Sequence, residues 1–357
     1  GRWKMAWKGS QRTLASLLLL FACCQASTRS ITLTHTPALG ASDPATGTVV
    51  LNPGESFADY HVVVFLWVDQ FYSKPYGNVA LSSTGSFTAG IILHDNDKQA
   101  SLIVAQLKKG PASGAWINVQ APTLSLNDVV AETHVIRTTL WFEWAGRLWR
   151  RKDFQLVTAG PGPNYYSPRP EDIGVTAENT LKLSVTNRDG KWWSTEAISK
   201  DTFDYGRFSF HIRGRIDTLD PNLVLGAFSW EIHDTCNGGC HHRELDFEFS
   251  RWGNPSNPTG NSQFVVTPFD TPGHRKRFTV QQDTQNELTA VLDWTAGRAE
   301  FVVYYGKHHH PIPSNAVTAA RWTFTSKTAV HPAGAGTGWR FNLWQYAGTA
   351  PAANAFL

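Results

Sequence analysis

Short stretches of alternating apolar and polar residues, separated by Gly and Pro turns, recur through most of this 357-residue chain. In residues 207–213 every second side chain is apolar, as a half-buried antiparallel strand requires. No long helical pattern occurs, and many evenly spaced short strands are typical of a sandwich or barrel. The pattern therefore predicts an all-β protein. The predicted strands of the C-terminal two-thirds are 181–185, 206–213, 223–230, 244–249, 263–267, 288–294, 299–305 and 339–344.

Residues 1–26 differ in character from the rest of the chain. Four basic residues precede an apolar run over 14–22, and the small residue Ala26 follows. This order is the layout of a secretory signal peptide. A short membrane anchor is the alternative, but the run is shorter than the ~20 residues that span a bilayer. We expect a secreted or extracytoplasmic protein without a membrane span.

The charge balance gives no reason to expect a nucleic-acid partner. The formal net charge is +3, and the basic residues of the predicted signal peptide account for that excess. Tryptophan is the unusual residue, with 15 in the chain. Rigid indole rings suit a β-rich core, or a cleft that stacks on flat ligands.

The composition divides the rest of the chain into three parts. Residues 27–56 are rich in Thr, Ser, Ala, Pro and Gly and are predicted to be a linker. Residues 57–135 are predicted to be a small β-sandwich module with strands at 61–68, 86–92 and 101–107, followed by a connector over 110–135. Residues 136–357 are predicted to form one larger β domain.

Two cysteines remain after the predicted signal peptide, Cys236 and Cys240, in a Gly-rich loop. In an oxidising compartment such a pair favours a disulfide. The alternative is a zinc site that adds His233, His241 or His242 as ligands. Because the spacing matches no common zinc pattern, we predict the disulfide and no metal site.

The residues most suited to catalysis lie in one predicted strand. Side chains alternate faces along a strand, so Glu244, Asp246 and Glu248 share one face. Like charges raise one another's proton affinity, and one carboxyl group then stays protonated near neutral pH. Glycoside hydrolysis needs such a pair, one ionised and one protonated. A retaining mechanism needs the pair about 5–5.5 Å apart, so Glu244 and Glu248 would have to lean together over a curved sheet.

An edge strand with a solvated acidic face would have the same pattern. The aromatic context argues against that alternative, because Phe228 and Trp230 lie on the preceding strand and Trp252 follows the carboxylates. Sugar rings present flat C–H faces that stack on such residues. The combination predicts a carbohydrate site.

These motifs together resemble a known enzyme family. Residues 244–248 and the following 251–255 are similar to the active-site strand of glycoside hydrolase family 16, which includes lichenase-type and laminarinase-type β-glucanases. Supporting matches lie at 160–167, 205–208 and 341–344. The five-residue motif looks more like the lichenase and xyloglucan branches. Residues 57–109 resemble a small β module that precedes such domains in bacterial proteins.

The resemblance implies a concanavalin-like β-jelly-roll sandwich, with a cleft across its concave sheet, and a retaining double displacement. It implies Glu244 as nucleophile, Glu248 as general acid/base and Asp246 as the assisting residue. The substrate would be a β-linked glucan or related polysaccharide, cut by a monomer without a cofactor. Family members often carry a structural calcium, for which no ligand set is readable here. The implied sugar-binding residues are Phe228, Trp230, Trp252, Gln263, Asn342, Trp344 and Asn164.

Several positions depart from the family pattern. His242 stands where the family often has Trp, and Ser209 and His211 stand where lichenase-type members carry substrate-contacting Glu and Arg. The chain also stops soon after 341–344, so a last strand is expected to be missing. Two alternatives therefore stay open beside the hydrolase, a carbohydrate-binding protein with a degenerate site and a transglycosylase.

Overall fold

The computed structural model describes residues 28–113, 119–121, 124, 128–154, 157–231, 241–283, 286–326 and 337–357. Within these ranges the only helical segments are single 3-10 turns, and the rest of the regular structure is strand, so the all-β prediction is confirmed. No helix of the described residues is long and apolar enough to cross a membrane. The 3-10 turns are Phe57–Asp59, Asp95–Gln99, His241–Arg243 and Tyr346–Gly348.

The N-terminal part is a small sandwich of two sheets. A three-stranded sheet has the order β1-β2-β6, and the larger sheet has the order β8-β4-β3-β7-β9 with β5 beside β3. Apolar side chains such as Ile31, Val49 and Phe87 pack between the two sheets. The strands are β1 (Ser30–His35), β2 (Ala45–Val50), β3 (Tyr60–Trp67), β4 (Phe71–Ser73), β5 (Val79–Ala80), β6 (Ser86–Ala89), β7 (Leu102–Lys109), β8 (Gln120–Ala121) and β9 (Val129–Ile136).

This sandwich corrects two boundaries of the sequence analysis. The predicted linker over 27–56 contains β1 and β2, and the predicted connector over 110–135 contains β8 and most of β9. The linker prediction was wrong because both strands contain two Thr and few large apolar residues, while Ile31 of β1 and Ala45 and Val49 of β2 provide the buried face. Strand β9 completes the larger sheet by pairing with β7.

Strand β3 is buried on both faces. Val62, Val64 and Leu66 pack inside the small sandwich, whereas Phe65 and Trp67 pack with Trp141 and Leu148 of the C-terminal part. A strand that is covered on both sides needs a continuous apolar run rather than alternation, as residues 61–68 have.

The C-terminal part is a larger sandwich. One sheet has the order β10-β11-β16-β25-β18-β19-β20-β21, and a second has the order β17-β22-β23-β24. Strands β12, β15 and β26 extend the first sheet from β16, and β13 pairs with β14.

The strands of this part are β10 (Trp141–Trp144), β11 (Arg147–Arg151), β12 (Tyr165–Tyr166), β13 (Gly174–Val175), β14 (Leu181–Lys182), β15 (Ser184–Arg188), β16 (Lys191–Ser199), β17 (Gly206–Arg213), β18 (Leu223–Glu231), β19 (Leu245–Phe249), β20 (Ser262–Val266), β21 (Arg275–Phe278), β22 (Glu287–Thr295), β23 (Arg298–Tyr305), β24 (Thr318–Thr325), β25 (Thr337–Gln345) and β26 (Ala355–Phe356). The predicted strands all lie within a residue or two of observed ones, except that 181–185 divides into β14 and the start of β15.

The second sheet covers one face of the first. Leu245, Phe247 and Phe249 of β19 belong to the core between the sheets, with Trp294 and Phe301 of the second sheet. Since side chains alternate along a strand, the opposite face of β19 carries Asp246 and Glu248. The open face of the first sheet is therefore the face that holds the predicted site.

Candidate active site

The three carboxylates are held on the open face by their neighbouring strands. Asp246 lies opposite Phe228, and Glu248 lies opposite Gly226 of β18. Glu244 immediately precedes β19, after two residues with left-handed backbone, His242 at φ 56° and Arg243 at φ 49°. Glu244 thus enters the strand from a tight turn, and its backbone carbonyl accepts a hydrogen bond from Thr267 at 3.2 Å.

The strand register places a row of polar side chains across the sheet. From β20 to β16, this row contains Gln263, Glu248, Gly226, Asn342 and Glu196, each opposite the next. A second row, two residues along the strands, contains Asp246, Phe228 and Arg340. Residues far apart in the chain therefore form one continuous polar floor.

Gly226 is required by this floor. A Cβ atom at this position would lie 2.4 Å from Oδ1 of Asn342. The missing side chain leaves room for the Asn342 amide beside Glu248. The Asn342 Oδ1 atom is buried and has no hydrogen-bond partner among the described residues. An unpaired buried acceptor is costly, so this atom is suited to receive a hydrogen bond from a ligand.

Burial raises the pKa of all three carboxyl groups, and repulsion between the carboxylates adds to this effect for Glu244 and Asp246. Burial, followed by the charge of Glu248, raises the pKa of Glu244 to about 8. Burial and the charges of both glutamates raise the pKa of Asp246 well above its ordinary value. The Glu244–Asp246 hydrogen bond lowers the pKa of Glu244 and raises that of Asp246, so Asp246 is the donor. The site therefore retains protons at neutral pH.

Glu248 has a different environment. Burial raises its pKa, while a hydrogen bond from Gln263 and the charges of Arg277 and Arg275 lower it. Nε2 of Gln263 donates to Oε2 of Glu248. The two outer glutamates are thus distinguished, because Glu244 is paired with a carboxyl group and Glu248 with an amide.

A fourth carboxylate, Glu196, lies at the other end of the polar row. It is completely buried and accepts from Lys152 Nζ at 2.8 Å and from Arg340 Nη1 at 3.0 Å. Burial alone raises the pKa of Glu196, but Lys152 and Arg340 outweigh that effect and the pKa lies below its ordinary value. Glu196 is therefore an ionised structural carboxylate, and its pKa is shifted in the opposite direction from those of the other three.

A cavity of about 640 Å³ lies over this floor. The predicted residues Phe228, Trp230, Asn342 and Trp344 line it together with Glu244, Asp246 and Glu248. The structure thus brings most of the sequence-predicted site residues together. Its other lining residues are Trp67, Asp69, Arg150, Lys152, Asp153, Phe154, Gly160, Pro161, Glu196, Ile198 and Arg340.

One face of Trp230 is already covered. The His242 imidazole stacks on its ring at 4.2 Å with an interplanar angle of 11°. The His242 Nδ1 atom lies 2.7 Å from the Glu231 carbonyl oxygen, which holds the imidazole in place. His242 therefore covers one face of Trp230. The Arg340 guanidinium also lies over this ring, 5.2 Å from its centroid, so little of the Trp230 ring surface is left for a ligand.

The three weaker predictions have different positions. Gln263 contacts Glu248 directly. Trp252 does not line the cavity, and the Arg277 guanidinium lies 3.4 Å from its ring centroid. Asn164 is buried beneath the floor, where its Nδ2 atom donates to the carbonyl oxygens of Pro161 at 2.7 Å and Gln345 at 3.0 Å. Asn164 thus fixes the Pro161 segment that lines the cavity.

Positions 209 and 211 lie away from the carboxylates. Both belong to β17, in the sheet that covers the opposite face. His211 contacts the carbonyl oxygen of His308 through Nε2 at 2.6 Å. These departures from the family pattern therefore do not alter the cavity floor.

The predicted disulfide of Cys236 and Cys240 lies outside the described residues and stays a prediction. The same holds for His233 as a zinc ligand. In the described part of the chain, no group of three or more His, Cys, Asp or Glu side chains could hold a metal ion. No residues are therefore assigned to calcium or zinc.

Sequence reasoning missed the cationic residues of the cavity. Arg340 is two residues before Asn342 on the same strand face, a signal that alternation provides. Lys152 and Arg150 lie on β11 or just after it, and Glu196 lies on β16. Nothing in the sequence indicates that these strands lie next to β25 in the sheet. The presence of these residues at the cavity therefore depends on strand order.

Comparisons with known proteins give similarity in structure only. No family model matches the chain, and no curated protein matches it. Among solved structures, it is similar to a family 16 endo-glucanase from Bacteroides ovatus, with 15% identity, a TM-score of 0.42, and coverage of 60% of this chain and 92% of that one.

Two further similar structures are described differently, one as a glucanase and the other as a pseudo-glucanase. A β-1,3-glucanase from Mycobacterium marinum has 15% identity and a TM-score of 0.39, and the match covers 59% of this chain and 86% of that one. A pseudo β-1,3-glucanase of Mycobacterium tuberculosis has 15% identity and a TM-score of 0.38, over 58% of this chain and 85% of that one. What the site does must therefore be inferred from the residues of this chain.

Proposed function

We propose that this protein is a secreted glycoside hydrolase that cleaves a β-linked glucan or related polysaccharide with retention of configuration. The observation that carries the proposal is the triad of Glu244, Asp246 and Glu248 on one strand face, on the floor of an aromatic-lined cavity. Among the described residues, no cationic side chain forms an ion pair with Glu244 or Asp246, and burying carboxyl groups in this way is costly for folding. A site of this kind is characteristic of general acid and nucleophilic carboxyl groups.

The environments of the two glutamates support their roles. Asp246 donates a hydrogen bond to Glu244, which lowers the pKa of Glu244 against the larger raising effect of burial. The ionised form of Glu244 attacks the anomeric carbon, and with a pKa of about 8 this form increases as the pH rises toward that value. Glu248, with its raised pKa, protonates the glycosidic oxygen as the bond to the leaving sugar breaks. Glu248 then removes a proton from water, which attacks the glycosyl ester and releases Glu244.

The polar and aromatic lining suits a neutral sugar chain. The free Oδ1 of Asn342 would accept from a sugar hydroxyl next to Glu248. Phe228, Trp230 and Trp344 provide the apolar surface against which sugar rings lie.

The test is an activity screen with mixed-linkage glucan, other β-glucans, xyloglucan and galactans, in which released reducing ends are measured. Glu244→Gln and Glu248→Gln are each expected to lower kcat by at least about 10³-fold, because one removes the nucleophile and the other the acid. Glu171→Gln is the matched control, since Glu171 is an exposed carboxylate outside the cavity. If the wild type cleaves none of these polysaccharides, the hydrolase proposal is wrong.

A second function, carbohydrate binding without cleavage, is favoured by the stacking of His242 on Trp230, which closes one ring face. Affinity electrophoresis in gels containing the same polysaccharides separates the two proposals. Retardation of a wild-type protein that releases no reducing ends would support the binding function. Cleavage would exclude it.

A further inference from the structure

The N-terminal sandwich supplies part of the cavity wall. Trp67 at the end of β3 and Asp69 in the following turn line the cavity that contains the carboxylates. The Trp67 side chain packs against Trp141 of β10, with ring centroids 5.2 Å apart. The hydroxyl of Tyr72 donates to Asp69 at 2.9 Å and holds that turn.

The contact between the two sandwiches is packed and ion-paired. The Trp141 indole donates to Ser101 Oγ at 3.1 Å. Lys200 of the larger sandwich is 2% exposed and lies 2.8 Å from Glu132 of β9. This packed contact brings the turn after β3 to the cavity, where Trp67 and Asp69 form part of the wall.

Arg150 connects this wall to the floor. Its guanidinium lies 4.8 Å from the Trp67 ring centroid. Burial, followed by the charge of Arg340, lowers the pKa of Arg150 to about 10. In the described part of the chain, Arg150 forms no ion pair or side-chain hydrogen bond, although the charges of Glu196 and Asp153 act on it. Its donors are therefore available to a ligand in the cavity.

The wall lies at one end of the cavity. Strand β11, which carries Arg150, is separated from β19 by β16, β25 and β18. Four strand spacings of ~4.8 Å place the backbone of Arg150, whose side chain contacts Trp67, about 19 Å from that of β19. A polysaccharide that runs across the strands thus has a limited number of sugar positions between the carboxylates and the wall.

Building on the proposed hydrolase function, we propose that Trp67, Asp69 and Arg150 form a terminal subsite that binds the end of a neutral polysaccharide chain. The Arg150 donors and the Asp69 acceptors would pair with hydroxyl groups of the terminal sugar. The negative charges of Glu196 and Asp153 act on Arg150, and together with the Asp69 carboxylate in the same cavity they favour a neutral sugar over a sulfated or carboxylated one. Cleavage then releases products of one or two fixed lengths.

The experiment measures binding separately from cleavage. Glu244→Gln protein is titrated with cello-, laminari- and mixed-linkage oligosaccharides of increasing length, either free or carrying a bulky fluorophore at one end. Affinity should rise with length and then stop rising, and blocking one particular end should weaken binding at least about tenfold. In Asp69→Ala and Arg150→Ala variants of the same Glu244→Gln protein, blocking that end should weaken binding by less than about twofold. Asp95→Ala, on the module surface outside the cavity, should leave it intact.

Each outcome separates this proposal from the proposed function. Wild-type protein that cleaves, but yields products of all lengths early and binds blocked ends equally well, would overturn the terminal subsite alone. End-dependent binding without any cleavage would overturn the hydrolase and support the subsite. Tighter binding of sulfated or carboxylated oligosaccharides through Arg150 would overturn the preference for a neutral chain end. Absence of binding and cleavage would overturn both.

Discussion

Glu196 is the residue with the most demanding environment in this protein. Its carboxylate is completely removed from water between Lys152 and Arg340, and it also accepts from Asn342 at 3.4 Å. Removing one member of such a group leaves a buried charge without compensation. Glu196 therefore fixes the floor, because it orients both Arg340 and the Asn342 amide next to Glu248.

Glu196→Gln should lower the free energy of unfolding by about 3 kcal/mol, because it leaves two buried cations without a carboxylate. Urea unfolding measures this loss. Lys152→Met should cost less, since Glu196 keeps Arg340. The double variant should be more stable than the sum of the two single losses predicts. Equal stability of Glu196→Gln and wild type would show that the group contributes nothing to the fold.

The raised pKa of Glu244 makes stability dependent on pH. In the folded protein this pKa is about 8, against an unfolded reference of 4.5. Between these values the folded state binds a proton that the unfolded state has lost. This contribution is therefore largest below the unfolded pKa and disappears as pH rises through the folded pKa.

Glu244→Gln should remove that dependence. Relative to wild type, the variant should gain on the order of 2 kcal/mol between pH 5 and pH 8.5, because its neutral amide has no proton to lose. Thermal unfolding of both proteins across this pH range measures the difference. A constant difference in Tm over the range would contradict the raised pKa.

At the scale of elements, strand β18 organises the site. It pairs with β19 on one side and with β25 on the other. Its register therefore fixes the position of the β19 carboxylates relative to Asn342 of β25. Its Gly226 provides the space in which the Asn342 side chain lies across the sheet. A substitution in β18 can therefore alter both the carboxylates of β19 and the Asn342 side chain of β25.

Gly226→Ala should displace the Asn342 amide, since the new Cβ atom would lie 2.4 Å from its Oδ1. The moving group is a side-chain end, so we expect KM to rise about tenfold with a stability loss of about 1 kcal/mol. Steady-state kinetics and urea unfolding check the two effects. Gly206→Ala in β17 is the matched control, because its new Cβ meets only ordinary contacts at 3.8 Å. An unchanged KM for Gly226→Ala would show that the position of the Asn342 amide does not affect substrate binding.

At the scale of the whole molecule, two sandwiches share the surface between β3 and β10–β11. Trp141 is 3% exposed and is surrounded by Trp67, Phe71 and Ser101 of the N-terminal part. Because β3 has no solvent-facing side, the small sandwich would expose a full apolar face if it separated.

We expect the two sandwiches to unfold in one cooperative calorimetric transition. Trp141→Ala should lower stability by about 3–5 kcal/mol and divide the transition in two, since it removes one of the two tryptophan side chains that pack together at the shared surface. Trp322→Ala, in the second sheet of the larger sandwich, should lower Tm without dividing the transition. Two transitions in the wild type would show that the sandwiches are independent.

Much of the fold could be predicted from alternation, which depends on local chain geometry. Period-2 patterns identified strands such as β17 and β19 because one face of each meets the core. The same rule failed for β1 and β2, whose few apolar residues are separated by Thr and Gly, and these strands were assigned to a linker. Secretion and the Cys236–Cys240 disulfide stay predictions, since the relevant residues lie outside the described part of the chain.

The sequence by itself determined that Glu244, Asp246 and Glu248 share a face, because neighbouring side chains on a strand must alternate. It also showed that the aromatic residues Phe228 and Trp230 lie on the preceding predicted strand. Only the tertiary structure decided which residues lie beside them. Glu196 and Arg150 reach the cavity because β16 and β11 follow β25 in the sheet, and Trp67 does so because a second sandwich packs there. Strand order depends on long-range packing, which no local pattern in the sequence records.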